Sequence, residues 1–210
     1  MSWAIWITGL PGSGKTALAR AVAAALRARG RAVRVLELDA VRKVLTPEPT
    51  YTGDEREIVY RALVYMAKLL VEAGVPVVID ATGHRRAWRE LARALIPLFA
   101  EVELRCPLPL CIERERKRHG GLAPAGIYER AGEPGSTVPG VDVPYEESRG
   151  AELVLDSNSM DLWAQAQEVL YLARRLCRQA ARKEHCRPIR SREAYRLYFQ
   201  QWEEDEDASS

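Results

Sequence analysis

The chain contains no apolar run long enough to span a bilayer, and its first residues pass straight into a short hydrophobic segment without the pattern of a secretory leader. No membrane partner is therefore expected, and the expected compartment is the cytoplasm. An excess of either charge is also missing. Lys and Arg number 31 against 29 acidic residues, and the resulting +2 gives nucleic acid no general electrostatic hold. The four cysteines, Cys106, Cys111, Cys177 and Cys186, include no C-x-x-C pair, so free thiols in a reducing compartment are expected, the first two packed in a core. Cys177, His185 and Cys186 have the wrong spacing for a zinc motif and lack an evident fourth ligand. No internal repeat is visible. What remains is a globular composition, 47% hydrophobic and 29% charged, in 210 residues, enough for one domain with a sizeable core and an appendage.

Against those absences one stretch stands out. Gly9-Leu10-Pro11-Gly12-Ser13-Gly14-Lys15-Thr16 fits G-x-x-x-x-G-K-[ST] at every position, between an apolar run at 3–7 that reads as a buried strand and an Ala/Leu/Arg-rich helix at 17–29. Glycines there let backbone N–H groups wrap phosphates at the positive end of a helix. Lys15 then reaches the β- and γ-phosphates and the Thr16 hydroxyl ligates Mg²⁺. The motif in this setting points to ATP or a related nucleoside triphosphate.

The rest of the chain alternates strand and helix. Residues 32–38 read as a second strand ending at Asp39, where an acid faces the ligand crevice of an open α/β sheet, and Arg42 lies one helical turn on. Asp39 also reads as the cap of a helix at 40–45. After a Pro-rich loop holding Tyr51, a helix runs from about Asp54 to Glu72, with Ile58, Val59, Ala62, Leu63, Met66, Leu69 and Leu70 as its apolar positions. Arg56 sits in its first turn, where a cation opposes the helix dipole unless an anion is near; a solvated surface Arg is the alternative. A third strand at 75–80 ends in Asp80, the second acidic element of a phosphate-binding fold, which holds Mg²⁺ directly or through water. Arg85 and Arg86 follow, placed for another anionic group, and His84 reads as a turn residue. A helix at 87–97, a strand at 100–105, a short charged helix at 110–119, a fifth strand at 151–156 and a helix at 161–182 complete the order. Residues 120–148 are rich in Gly, Pro and charge and too long for an idle connection, so they read as an active-site lid.

The fold expected is α/β: a five-stranded parallel sheet with helices on both faces, the P-loop kinase architecture. The kinase domain takes residues 1–180, its lid about 114–148, and a charged extension 181–210 follows. Basic residues and Tyr195 start the extension, and acids at 203–207 end it. The basic run reads as a solvated face folded against the acidic end, with nucleic acid as the alternative.

Three further segments, 106–115, 126–131 (Gly-Ile-Tyr-Glu-Arg-Ala) and 138–146 (Val-Pro-Gly-Val-Asp-Val-Pro-Tyr-Glu), resemble the adenylylsulfate kinase family. The resemblance covers most of the first 160 residues. It implies transfer of the ATP γ-phosphate to the 3′-hydroxyl of adenosine 5′-phosphosulfate, in sulfate assimilation, by a homodimer. Carried over by position, Asp39 is the base and metal contact, Arg42 and Arg56 hold the phosphosulfate, Tyr51 lies beside the substrate adenine, and Arg114 is the lid arginine near the adenine of ATP. The chain departs from the family pattern in four places. Glu37-Leu38-Asp39 replaces Asp-Gly-Asp, Val59 replaces an Asn, Val138 replaces the Phe that closes on the acceptor base, and Gly83 stands where the family has Ser-Pro-Tyr. Losing a base-stacking ring forfeits roughly 1–3 kcal/mol.

The expected chemistry is in-line phosphoryl transfer. Lys15, with Mg²⁺ held by Thr16, Asp39 and Asp80, neutralises the γ-phosphate, Asp39 takes the hydroxyl proton, and lid arginines (Arg114, with Arg116 or Arg118) close over ATP. Arg42, Arg56 and Arg86 are expected to cluster around the acceptor's anion. The alternatives are a kinase of another hydroxyl-bearing nucleotide or sugar phosphate, a polynucleotide 5′-kinase-like enzyme, and a non-catalytic nucleotide-binding regulator.

Overall fold

The computed structural model describes residues 2–118 and 120–183. Most of the charged extension, with His185, Cys186, Tyr195 and the acidic run 203–207, lies outside the described residues; positions 181–183 are the last turn of a helix. The strands are β1 (Ala4–Thr8), β2 (Arg34–Glu37), β3 (Val77–Asp80), β4 (Phe99–Arg105) and β5 (Leu153–Asp156). They pair in parallel throughout, in the order β2-β3-β1-β4-β5. The helices are α1 (Lys15–Arg27), α2 (Leu38–Leu45), α3 (Gly53–Glu72), α4 (Arg86–Leu95), α5 (Leu108–Arg116) and α6 (Leu162–Lys183).

Side chains alternate across a strand, so β1 feeds two cores. Ile5 and Ile7 join Leu18 and Val22 of α1 and Val169, Leu172 and Leu176 of α6 on one face. Ala4 and Trp6 join Val59, Tyr60, Leu63 and Val64 of α3 and Trp88 of α4 on the other. The central strand is buried on both faces, which is why it reads as a continuous apolar run. On the α3 side the rings are stacked. Tyr60 lies 3.9 Å from Trp88 and 6.2 Å from Trp6, centroid to centroid, and its hydroxyl accepts from the Gly83 amide at 2.9 Å.

Several sequence expectations are corrected here. β2 stops at Glu37, so Asp39 belongs to the first turn of α2 and not to a strand end. Ile58 and Leu69 are 65% and 46% exposed, because the buried stripe of α3 runs through Val59, Tyr60, Leu63, Val64, Ala67 and Val71. Val59 is fully buried within that stripe, where an amide would need buried partners. Cys111 is buried as expected, whereas Cys106 is only half-buried. No helix among the described residues is long and apolar enough to cross a membrane.

The charged interior needs its own account. Arg89 of α4 is fully buried, with Nε 2.6 Å from Glu101 Oε1 on β4, close enough for charge pairing though off the line of a hydrogen bond. Its other nitrogens donate to the carbonyls of Gly83 and Glu146, and Ser148 donates to Glu101. One ion pair thus ties α4, β4 and the chain returning to β5. Removing one partner of such a pair strands a charge. Arg89→Leu is therefore expected to lower stability in urea by about 3–5 kcal/mol, and Arg89→Leu/Glu101→Leu to recover most of it. His84 gives a second expectation. It is buried edge-on to Trp88 at 4.9 Å, its Nδ1 has no hydrogen-bond partner, and burial lowers its pKa from 6.5 to about 4. Between those values the unfolded chain binds a proton that the folded chain refuses, so stability falls as pH drops from about 6.5 to about 4. In His84→Phe, denaturation measured across that range should show a shallower slope.

Candidate active site

The loop joining β1 to α1 starts where β1 ends, beside Asp80 in the neighbouring strand, because the parallel register sets Ile7 opposite Asp80. The order β2-β3-β1-β4-β5 makes this the switch point of the sheet, since the chain leaves β1 toward β2 and leaves β3 toward β4. At two of its glycines the loop leaves no room for a side chain. Gly12 has φ +79, and a Cβ there would meet the Cys111 carbonyl oxygen at 2.2 Å; one on Gly9 would meet that of Leu104 at 2.5 Å. Gly14, also left-handed, sits at the N-cap of α1 without a side-chain cap, which leaves the first amides of the helix for a ligand. The Ser13 hydroxyl is buried and has no partner, an unmet group of the kind a ligand oxygen satisfies.

Lys15 is only 8% exposed, and its ammonium donates to the Leu10 carbonyl at 2.8 Å. Burial lowers its pKa, while the negative charges of Asp80 and Asp39 push the other way. Both acids are in turn raised by burial and pulled down by Lys15. The Thr16 side chain also pulls the Asp80 pKa down. Although Asp39 comes from a helix turn and not a strand end, it still lies within the electrostatic reach of Lys15 and Asp80. No three or more His, Cys, Asp or Glu side chains among the described residues form a cage for a metal. Thr16, Asp80 and Asp39 suit a different arrangement, in which an ion with a preference for hard oxygens takes one or two carboxylates and draws its other ligands from phosphates and water.

Beside this cluster is a cavity of about 280 Å³. Its floor includes Pro11, Asp39 and Arg42, its wall Tyr51 and Arg56, and its roof the lid segment 133–139 with Arg130. Arg42 is buried and ion-paired with Glu55, and its guanidinium lies 5.0 Å from the centre of the Tyr51 ring. Arg56 reaches from α3 to the lid, donating to the Thr137 carbonyl at 3.0 Å and hydroxyl at 2.7 Å. Val138 is held by Asp142, which accepts from its amide at 2.9 Å, from Ser136 at 2.5 Å and from the Gly132 amide at 2.9 Å. The Tyr128 hydroxyl, in a 3₁₀ turn at Tyr128–Arg130, donates to the Pro11 carbonyl at 2.8 Å, so the lid rests on the phosphate loop.

The structure thus brings together Lys15, Asp39, Arg42, Tyr51, Arg56 and Val138, with Thr16 and Asp80 alongside. One expected member stands apart. Arg86 does not line the cavity; its amide donates to Glu146 Oε2 at 2.7 Å and its guanidinium lies 3.8 Å from the same carboxylate. It is the first residue of α4, and that helix carries it to the returning chain and away from the acceptor cavity. Arg114, expected on the ATP side and not in this cavity, belongs to α5 and donates to the Ser157 hydroxyl at 3.1 Å and carbonyl at 2.9 Å, just beyond the end of β5. Arg116 is exposed, and Arg118 is engaged by Glu115 and the Pro124 carbonyl. Reasoning from sequence missed Arg130, Tyr128 and Glu55. The first two lie inside the 126–131 segment already singled out, so their company was the signal; Glu55 gave only the weak one of an acid in a first helical turn.

Known proteins resemble this chain over most of its length. A family model described as adenylylsulphate kinase matches residues 1–156. The probable adenylyl-sulfate kinase of Archaeoglobus fulgidus is 39% identical over 164 residues, 77% of this chain and 99% of the relative. That of Pyrococcus abyssi is 36% identical over 174 residues, 82% of this chain and 95% of the relative. Among solved structures, the Mycobacterium tuberculosis APS kinase in complex with AMPPNP and APS superposes with a TM-score of 0.72 at 31% identity, covering 81% of this chain and 96% of that one. The chain belongs to the adenylylsulphate kinase family.

Proposed function

We propose that this chain transfers the γ-phosphate of Mg·ATP to the 3′-hydroxyl of adenosine 5′-phosphosulfate, working in the cytoplasm as a homodimer. One observation carries the reading: Asp39 lines the lidded cavity with Arg42, Arg56 and Tyr51 and at the same time interacts with Lys15 of the phosphate loop. A carboxylate shared by the two halves of a site is what a phosphoryl transfer between two bound substrates needs.

In this reading the ammonium of Lys15 leaves the Leu10 carbonyl for the triphosphate. The amides at the start of α1 and the Ser13 hydroxyl take further phosphate oxygens. Thr16, Asp80 and Asp39 would hold Mg²⁺, which neutralises charge on the transferring group. Asp39, its pKa raised by burial, accepts the proton of the attacking hydroxyl; a carboxylate with a raised pKa is a better base once ionised. Arg56 and Arg130, with Arg42, give the acceptor's anion a cationic wall. Tyr51 offers its ring to the base. The lid, latched by Tyr128 and Arg56, keeps water from the γ-phosphate.

The first test is product analysis with labelled ATP and a panel of hydroxyl acceptors. The 3′-phosphorylated product from adenosine phosphosulfate is expected; its absence, with another nucleotide or sugar phosphate labelled instead, would replace the acceptor assignment. Lys15→Ala should raise the KM for Mg·ATP. Asp39→Asn should leave ATP binding nearly intact while lowering kcat on the order of 10²–10⁴-fold. Near-normal turnover in Asp39→Asn would reduce that residue to a helix-turn acid. Val138→Phe restores a ring over the cavity and should lower the acceptor KM by about fivefold or more, with little change for ATP. Unaltered acceptor kinetics would mean the base does not reach Val138.

A further inference from the structure

The wall of the acceptor cavity is held by a side chain that does not line it. Glu55, in the first turn of α3, turns its carboxylate toward the preceding loop. Oε1 takes the guanidinium of Arg42, and Oε2 accepts from the Thr50 amide at 2.5 Å, the Thr50 hydroxyl at 2.6 Å and the Tyr51 amide at 3.2 Å. Four donors thus converge on one carboxylate, and the two members of the ion pair are only 6% and 11% exposed. An acid that merely favoured the helix dipole would keep its oxygens in water.

What these bonds hold is an unfavourable conformation. Tyr51 has φ +55 and is the one non-glycine residue with positive φ among the described residues. A β-carbon with an aromatic ring resists that region, so the surroundings must impose it. They do so from both ends of the residue, since Glu55 takes its N–H and Arg56 Nε donates to its carbonyl at 3.0 Å. The outcome is a ring facing the cavity, with Arg42 at 5.0 Å and Arg56 at 5.8 Å from its centre. Glu55 fixes both neighbours of the acceptor, the backbone that carries the ring and the guanidinium beside it, without touching the cavity itself.

We infer that Glu55 is the positioning residue of the acceptor pocket: it holds Tyr51 in its left-handed conformation and Arg42 against the ring, so that base and anion meet groups already in place. This rests on the kinase reading above, in that the cavity takes the phosphate acceptor. The preorganisation lowers the cost of binding the acceptor and leaves the ATP side untouched.

The test is a double-mutant cycle, Glu55→Ala and Tyr51→Ala singly and together, with initial rates measured on whichever panel acceptor the wild type phosphorylates. A wrong acceptor then overturns the earlier reading and leaves this test intact. Glu55→Ala should raise the acceptor KM about tenfold with the KM for Mg·ATP unchanged. In the Tyr51→Ala background it should add clearly less than it costs alone, about threefold, because its hold on the ring no longer counts and only its hold on Arg42 remains. Glu55→Gln, which keeps an acceptor for the loop amides and guards against a folding defect, should cost about threefold. A crystal structure of Glu55→Ala supplies a readout independent of activity, with Tyr51 expected at negative φ and its ring displaced. Additive effects in the cycle, equal rises in both KM values, or an unmoved Tyr51 would each overturn the inference.

Discussion

A backbone passage too close for any β-carbon governs the rest of this molecule. Between β1 and α1 the chain lies so near the carbonyls of Leu104 and Cys111 that only glycine fits at positions 9 and 12. That contact presses the loop against the end of β4 and the start of α5, and it leaves the N-terminus of α1 open. Lys15 follows at once, as the first residue of α1 on its buried face, and is only 8% exposed. Its ammonium therefore folds back onto the Leu10 carbonyl, within the field of Asp39 and Asp80.

The electrostatics of the site follow from this confinement. Burial disfavours the charged form of Lys15, Asp39 and Asp80 alike, and their mutual attraction is what offsets it. In the proposed reaction a triphosphate would bring negative charge to the lysine, and a divalent cation would bring positive charge to the acids. Each would thus supply what the protein's own charges keep only in part. The same logic holds across the cavity, where Arg42 is satisfied by Glu55 and sits within the field of Asp39, while Arg56 bridges helix and lid.

The lid is ordered by polar contacts and not by a core of its own. Tyr128 latches it to Pro11, Arg56 to Thr137, and Asp142 gathers the amides and hydroxyl of the turn that carries Val138. Its returning end is fixed by Arg89, whose buried guanidinium takes the Glu146 carbonyl while pairing with Glu101. The contacts of Tyr128, Arg56 and Asp142 are individually modest and only part-buried, which suits the opening that the proposed reaction asks of this segment, whereas the buried Arg89 anchors its returning end.

Much of this was legible in the chain itself. The phosphate-binding pattern, the alternation of apolar runs with amphipathic helices and the acid closing β3 determine a parallel sheet with a nucleotide site at its carboxyl edge, because glycine spacing and hydrophobic period are local properties. The places of Asp39 and Arg42 at one cavity were also within reach, since both follow the end of β2 directly, whereas Tyr51 came only from the family resemblance and Arg56 from that and its place in a first helical turn. Tertiary packing decided what depends on where one element's side chains meet another's. It moved Asp39 from a strand end into a helix turn, turned Ile58 and Leu69 outward, and sent Arg86 to Glu146 and Arg114 to Ser157. It also brought Arg130 from the lid and gave Glu55 its four donors. A long, flexible cation can pair with any acid within its reach, and a helix can bury either of two adjacent stripes. Sequence fixes the reach and the stripe's period, but only the neighbouring elements, arriving from far along the chain, select the partner and the face.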